Sequence, residues 1–128
     1  MESSCIIGIG SNIHPYENIY EAVKILEEEF EVIQCTSFAH TKPLGITDQP
    51  EFLNGAILLH TLLGINEMNI RLKSIEKFLG RDRNQPKDGP RTIDLDVVAW
   101  NGKIVDEDYY KRDFLKKAVD ELFKAEKV

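Results

Sequence analysis

Asp94-Leu95-Asp96 is the most chemically specific string in this sequence. In an extended strand alternate residues share a face, so both carboxylates project to one side while Ile93, Leu95 and Val97 project to the other. Two carboxylates one pleat repeat apart can ligate one Mg²⁺, or be shared by two, with phosphate oxygens and water completing the shell. Side-by-side carboxylates repel, and a bound cation is the usual reason for accepting that cost. The bland alternative, the solvent-facing side of an edge strand, sits poorly with the apolar run around it.

A basic segment lies just upstream. From Arg71 to Arg91 there are seven basic residues and three acidic ones, a local net of +4 in a chain whose total is −6, which leaves −10 for everything else. Arg81, Arg83 and Arg91 share one loop leading into the aspartate pair. Arginine forks match phosphate oxygens, and carboxylates match the cations that neutralise them, so together they point to a polyphosphate. The arginines alone would be read as a self-solvating loop. A third segment runs Thr41-Lys42-Pro43-Leu44-Gly45, then Asp48-Gln49-Pro50-Glu51-Phe52-Leu53-Asn54. Such a loop can offer backbone groups to a planar heterocycle, with Asn54 reading its edge and Phe52 stacking on its face. Taken alone, it reads as an ordinary loop into a buried strand, with Phe52 in the core and Asn54 capping a turn.

Other chemistries are excluded. Gly8-Ile9-Gly10 lacks the third glycine of a dinucleotide fingerprint, and no GxxxxGK[ST] loop or GxSxG elbow is present. Cys5 and Cys35, without a CxxC, and three scattered histidines make no zinc site, so the cysteines are expected to be buried, reduced thiols. With 128 residues, 42% hydrophobic and 30% charged, the chain has the size and mix of one globular domain, residues 1–128. No apolar run reaches the ~18 residues of a membrane span, no signal peptide is read at the start, and the acidic balance speaks against a nucleic-acid partner. A cytoplasmic protein that does not bind membranes is expected.

The elements that must position these residues follow from periodicity. Cys5–Ile9 reads as a buried strand ended by Gly10-Ser11-Asn12. Pro15 opens a helix with Ile19, Ala22, Val23, Leu26 and Phe30 on one stripe. A strand over Val32–Phe38, a loop over His40–Pro50 and a strand from Phe52 to near Thr61 come next. A second helix has Asn66 as expected N-cap, Met68, Leu72, Ile75 and Leu79 on one stripe, and Gly80 as stop. Strand Ile93–Trp100, a turn at Asn101-Gly102, a short return over Lys103–Val105 and a terminal helix with Leu115, Val119, Leu122 and Phe123 complete the chain. The order βαββαββα is that of an α+β sandwich on a ferredoxin-like plan, a βαββαββ core with a C-terminal helix.

Gly10-Ser11-Asn12, the Thr41–Gly45 and Asp48–Asn54 segments, Gly80-Arg81-Asp82-Arg83 and Gly89-Pro90-Arg91-Thr92-Ile93-Asp94-Leu95-Asp96 together resemble the signature of the 6-hydroxymethyl-7,8-dihydropterin pyrophosphokinase family. The resemblance runs from about residue 5 to residue 105 in unbroken order. It implies a ferredoxin-like fold and transfer of diphosphate from ATP, as co-substrate, to a pterin alcohol in folate biosynthesis, releasing AMP. It implies that Asp94 and Asp96 hold two Mg²⁺, and that Arg81 and Arg91 stabilise the phosphates during transfer. Arg83 would sit on a loop closing over them. Thr41 and Leu44 would offer backbone contacts to the pterin, Asn54 would bond its edge, and Phe52 and Phe114 would sandwich its ring. Glu76, Val97 and Arg112 fall at nucleotide-contacting positions. The partners implied are small molecules, and a monomer is expected.

The sequence departs from the family in places. The Pro-His segment usual after the hairpin is missing, Val105–Arg112 being several residues shorter, and Asp88 replaces an aromatic. The C-terminal extension is also reduced. These changes fall on the nucleotide side and leave open an alternative, a divergent paralogue that binds a pterin or nucleotide without turnover.

Overall fold

Strand β1 (Ser3–Ser11) is apolar on both faces, and that places it in the middle of the molecule. A computed structural model describes residues 1–43, 45, 48–80 and 92–126. In it β1 is followed by helix α1 (Pro15–Glu29), strands β2 (Glu31–Cys35), β3 (Ala39–Thr41) and β4 (Phe52–Thr61), and helix α2 (Ile65–Phe78). Strands β5 (Asp94–Trp100) and β6 (Lys103–Ile104) and helices α3 (Asp108–Lys111) and α4 (Asp113–Glu126) follow. The sheet runs β2-β4-β1-β5-β6, with β3 also on β4, and every pairing is antiparallel. This is the expected ferredoxin-like α+β arrangement.

Helices cover both faces. Cys5, Ile7 and Ile9 of β1 join Ile19, Ala22 and Leu26 of α1 and Met68, Leu72 and Ile75 of α2 in one core. Ile6, Ala56, Leu58 and Val98 join Leu115, Val119 and Leu122 of α4 in the other. The α1, α2 and α4 stripes are those expected from helical spacing.

Three details differ from expectation. The strand expected over Val32–Phe38 ends at Cys35, and a separate short strand, β3, forms at Ala39–Thr41, running into the expected His40–Pro50 loop. Between them Thr36 exchanges bonds with Ala56, N to O at 2.9 Å and Ala56 N to Thr36 Oγ1 at 2.9 Å, and the Phe38 ring lies over Gly55, where a Cβ would come within 2.5 Å. Helix α2 starts before the expected N-cap Asn66: Gly64 is the cap, and Glu67 reaches back to accept its N–H at 3.0 Å. Its end is as expected, Gly80 taking φ +94°, a conformation cheap only for glycine. The third correction concerns Cys35, which is exposed because β2 is an edge strand left uncovered on most of its length. Cys5 is buried, its thiol pushed up to about 12 by burial, and both cysteines are free. Among the described residues no helix is long and apolar enough to cross a membrane.

Candidate active site

Strand register brings the chemistry together. Gly10 pairs with Asn54 on one side and with Asp94 on the other, and Gly8 pairs with Ala56 and Asp96. Two parallel rows therefore cross β4, β1 and β5, with Asn54 and Asp94 about 10 Å apart at the spacing of two strand intervals. Asp94 and Asp96 share one face while Leu95 and Val97 are buried on the other, as the alternation predicts. The two glycines keep the floor low. A Cβ at Gly10 would lie 2.4 Å from Asn54 Oδ1, and one at Gly8 would lie 3.3 Å from Val98 Cγ2. That is the physical use of Gly8-x-Gly10, which reads as a failed dinucleotide motif in sequence.

The Ser11-Asn12 turn anchors one wall. Ser11 and Asn12 are buried; Asn12 Nδ2 donates to Gln49 Oε1 at 2.9 Å and to Pro50 O at 3.0 Å. The Gly10-Ser11-Asn12 turn thus holds the start of the segment that leads into β4. Asn54 Nδ2 donates to Thr41 Oγ1, joining β3 to β4 at the cleft. The opposite wall is the start of α4. Phe114 and Leu115 line the cleft with Gly8, Gly10, Asn54, Asp94 and Asp96, in a space of about 40 Å³. Phe52 shares a face with Asn54 by strand alternation but is not among the lining residues.

Asp106, Asp108 and Arg112 complete that lining. Among the described residues the lining carries four carboxylates and one guanidinium, and burial pushes the Asp106 carboxyl above its ordinary range, the Asp108 and Asp96 charges adding to the effect. Asp106 Oδ1 accepts the Asp108 N–H at 2.9 Å, and Arg112 Nε lies 3.9 Å from Asp108 Oδ2. The segment is pinned from behind by Tyr109, whose hydroxyl donates to Asp120 at 2.5 Å. On the far side of Asp96 a wider recess of about 360 Å³ is lined by Val97, Val105, Asp106, Glu107, Ile65 and Asn69.

Glu76 arrives from the other face of the sheet. It is fully buried, and its Oε2 accepts the Leu95 N–H at 2.7 Å. Lys73, one turn earlier, donates to Leu95 O at 3.1 Å, to Glu76 Oε2 at 3.2 Å and to Asp96 Oδ1 at 3.1 Å. β6 covers β5 only at Ala99 and Trp100, so these two side chains bond the outward backbone groups of Leu95 where no strand does. Carboxylate oxygens of Glu76, Asp94 and Asp96 all lie within 4.8 Å of one another. An all-oxygen donor set of this kind suits a hard divalent cation such as Mg²⁺.

Comparison with known proteins settles the lineage. The family model described as 7,8-dihydro-6-hydroxymethylpterin-pyrophosphokinase matches residues 6–124. The chain belongs to that family. It is 36% identical over 104 residues to the 2-amino-4-hydroxy-6-hydroxymethyldihydropteridine pyrophosphokinase of Bacillus subtilis, covering 79% of this chain and 62% of that one. It is 32% identical over 102 residues to the Haemophilus influenzae protein of the same name, covering 77% and 63%. A folate synthesis bifunctional protein of Arabidopsis thaliana is 37% identical over 97 residues, covering 74% of this chain and 20% of the plant protein. The chain thus spans less than two thirds of these relatives.

Of the residues expected from the family signature, Asp94, Asp96, Asn54, Phe114 and Arg112 line one cleft, Thr41 bonds Asn54 beside it, and Val97 lines the adjoining recess. Glu76 stands behind the aspartates, not in the open cleft. Leu44, Arg81, Arg83 and Arg91 lie outside the described residues. Sequence reading missed Lys73, Asp106 and Asp108. The i,i+3 spacing of Lys73 and Glu76 was a visible signal, and so was the acidic run Asp106-Glu107-Asp108 where the family has Pro-His.

Proposed function

We propose that the chain transfers diphosphate from ATP to the hydroxymethyl group of 6-hydroxymethyl-7,8-dihydropterin, releasing AMP, as a Mg²⁺-dependent transferase of folate biosynthesis. The observation that carries this reading is the row Asn54–Gly10–Asp94, which sets a heterocycle-reading amide opposite a cation-binding carboxylate across one cleft. Family membership and the named activities of the bacterial relatives support it.

In this reading Asn54, held by Thr41, bonds the pterin edge, with Phe114 on one ring face and Phe52 on the other; Leu44 adds a backbone contact. Asp94 and Asp96 hold Mg²⁺, two ions in all. When bound, the ions neutralise phosphate charge and make the coordinated hydroxyl a better nucleophile. The pterin oxygen forms a bond to the β-phosphorus of ATP and gives its proton to water, while the bond from that phosphorus to the α,β-bridging oxygen breaks and AMP leaves with that oxygen. Positioning and charge neutralisation carry most of such a transfer. By their place in the sequence, Arg81 and Arg91 stabilise the phosphates and Arg83 covers them. Val97 packs on adenine at the recess, and Arg112 contacts ATP. Glu76 contributes to the nucleotide side by bracing β5. In the same reading the chain acts in the cytoplasm as a monomer on small molecules, without nucleic acid or membrane.

The test is AMP production from ATP, Mg²⁺ and the pterin alcohol. Wild type is expected to form AMP and Asp96→Asn to form none while keeping its circular dichroism spectrum; turnover in Asp96→Asn would remove the metal assignment. The carboxylate-rich Asp106–Asp108 wall, placed where the family has Pro-His, favours a second reading in which the chain binds pterin without turnover. Pterin binding with no AMP at high enzyme concentration would establish that alternative.

A further inference from the structure

Lys73 lies 3.1 Å from Asp96 Oδ1 and 3.2 Å from Glu76 Oε2, with its third bond to Leu95 O. It is a mobile-stemmed cation, with its side chain 37% exposed, set among the three carboxylates that converge within 4.8 Å. Glu76, by contrast, is fixed: its side chain is only 1% exposed and its Oε2 also holds the Leu95 N–H. An ammonium and a divalent cation use the same oxygens in different ways. The ammonium needs its protons aimed at Asp96 Oδ1 and Glu76 Oε2, while the ion needs the lone pairs themselves. The two positive charges also repel at contact range.

Building on the proposed function, we infer that Lys73 is a tethered counter-ion of the carboxylate array, a positioning residue that holds Asp96 in place and competes with the divalent cation for it. Loading the cation requires the ammonium to give up Asp96 Oδ1 and swing outward, the direction its exposed stem allows, while Glu76 and the Leu95 backbone stay in place. Lys73 therefore weakens the binding of cation alone and sets the concentration at which the site fills. A polyphosphate entering with the cation gives the displaced ammonium a new anionic partner, so Lys73 favours joint loading of cation and nucleotide over cation by itself.

Mn²⁺ titration followed by electron paramagnetic resonance, in the absence of nucleotide, tests this. Lys73→Gln, which keeps a donor for Leu95 O and loses the charge, is expected to bind Mn²⁺ about tenfold more tightly than wild type, the scale of removing one partly screened charge beside the ion's ligands. Lys73→Arg is expected to stay within about threefold of wild type, since it keeps the charge. Thermal melts should show a larger Mn²⁺-induced rise in Tm for Lys73→Gln than for wild type. A lower Tm in Lys73→Gln with Mn²⁺ affinity unchanged or weakened would reduce Lys73 to a structural tie and overturn the inference. If Lys73→Gln does not fold, the wild-type protein decides. With ¹³C-labelled lysine, Mg²⁺ is expected to shift the Lys73 ε-methylene resonance, and no shift at saturating Mg²⁺ overturns the inference. Mn²⁺ binding in wild type that Asp96→Asn does not abolish would overturn the cation site itself, and the role of Lys73 with it.

Discussion

Gly10 shows how a residue without chemistry can decide where chemistry happens. Its missing side chain leaves room for the Asn54 amide, whose Oδ1 would meet an added Cβ at 2.4 Å, and the same strand position pairs with Asp94. Gly10→Ala is expected to keep the fold, because the obstructing atom is the end of a side chain that can rotate. It should also break the Asn54–Thr41 bond and weaken pterin binding by an order of magnitude, about 1.4 kcal/mol. Quenching of pterin fluorescence measures this, and unchanged affinity would take Asn54 out of the binding site. Asp94 and Asp96 were legible as a pair because alternation along one strand is a local property. Asn54 was a weak signal by itself, since nothing in its neighbours says that Gly10 and Asp94 lie beside it.

At the scale of elements, β5 is the strand that needs explaining. It carries both aspartates, yet among the described residues its neighbour beyond β1 reaches no further than β6 at Ala99 and Trp100 and the Val105 N–H on Val98 O at 2.9 Å. Helix α2 supplies what a strand would have supplied, through Glu76 on the Leu95 N–H and Lys73 on the Leu95 carbonyl. Glu76→Ala leaves a buried N–H without that acceptor and is expected to cost about 2–4 kcal/mol of stability. Glu76→Gln, which retains an acceptor, should recover part of the loss. Urea unfolding of the two variants checks this, and equal, small losses would mean that Glu76 does not brace the strand. Helical spacing puts Met68, Leu72, Ile75 and Leu79 on the buried stripe of α2, and Glu76 stands out in the sequence only through the family resemblance. The spacing does not say why a carboxylate belongs at that position, because its partner is a backbone group 19 residues further along the chain.

For the molecule as a whole, the two helices on one face are tied together at the C-terminal end of α1. Arg71 of α2 donates from Nε to Glu29 of α1 at 2.6 Å and makes a second bond from Nη2, and this holds the Glu29 carboxyl below its ordinary value. A carboxyl depressed in the folded state stabilises above its unfolded pKa of ~4 and loses that contribution as pH falls through the lower folded value. Both side chains are about one-third exposed, so solvent screening limits the gain to about 0.5 kcal/mol. Glu29→Gln should melt slightly below wild type at pH 7, and the two curves should converge under pH 4. A difference that persists in acid would assign it to packing. The net charge of −6 divides in the same unequal way: the chain is acidic, the Arg71–Arg91 segment is locally +4, and the cleft walls are carboxylates. Sequence by itself determined the helical stripes, the strand faces and the side of β5 on which the aspartates stand. Each of these depends on dihedral geometry over a few neighbouring residues. Only the tertiary structure decided that Asn54, Gly10 and Asp94 form one row, that Lys73 and Glu76 serve as the missing edge of β5, and that Asp106 and Asp108 wall the cleft. Those are contacts between residues far apart in the chain. Sheet order and register create them, and both come from packing two cores at once, not from any local preference.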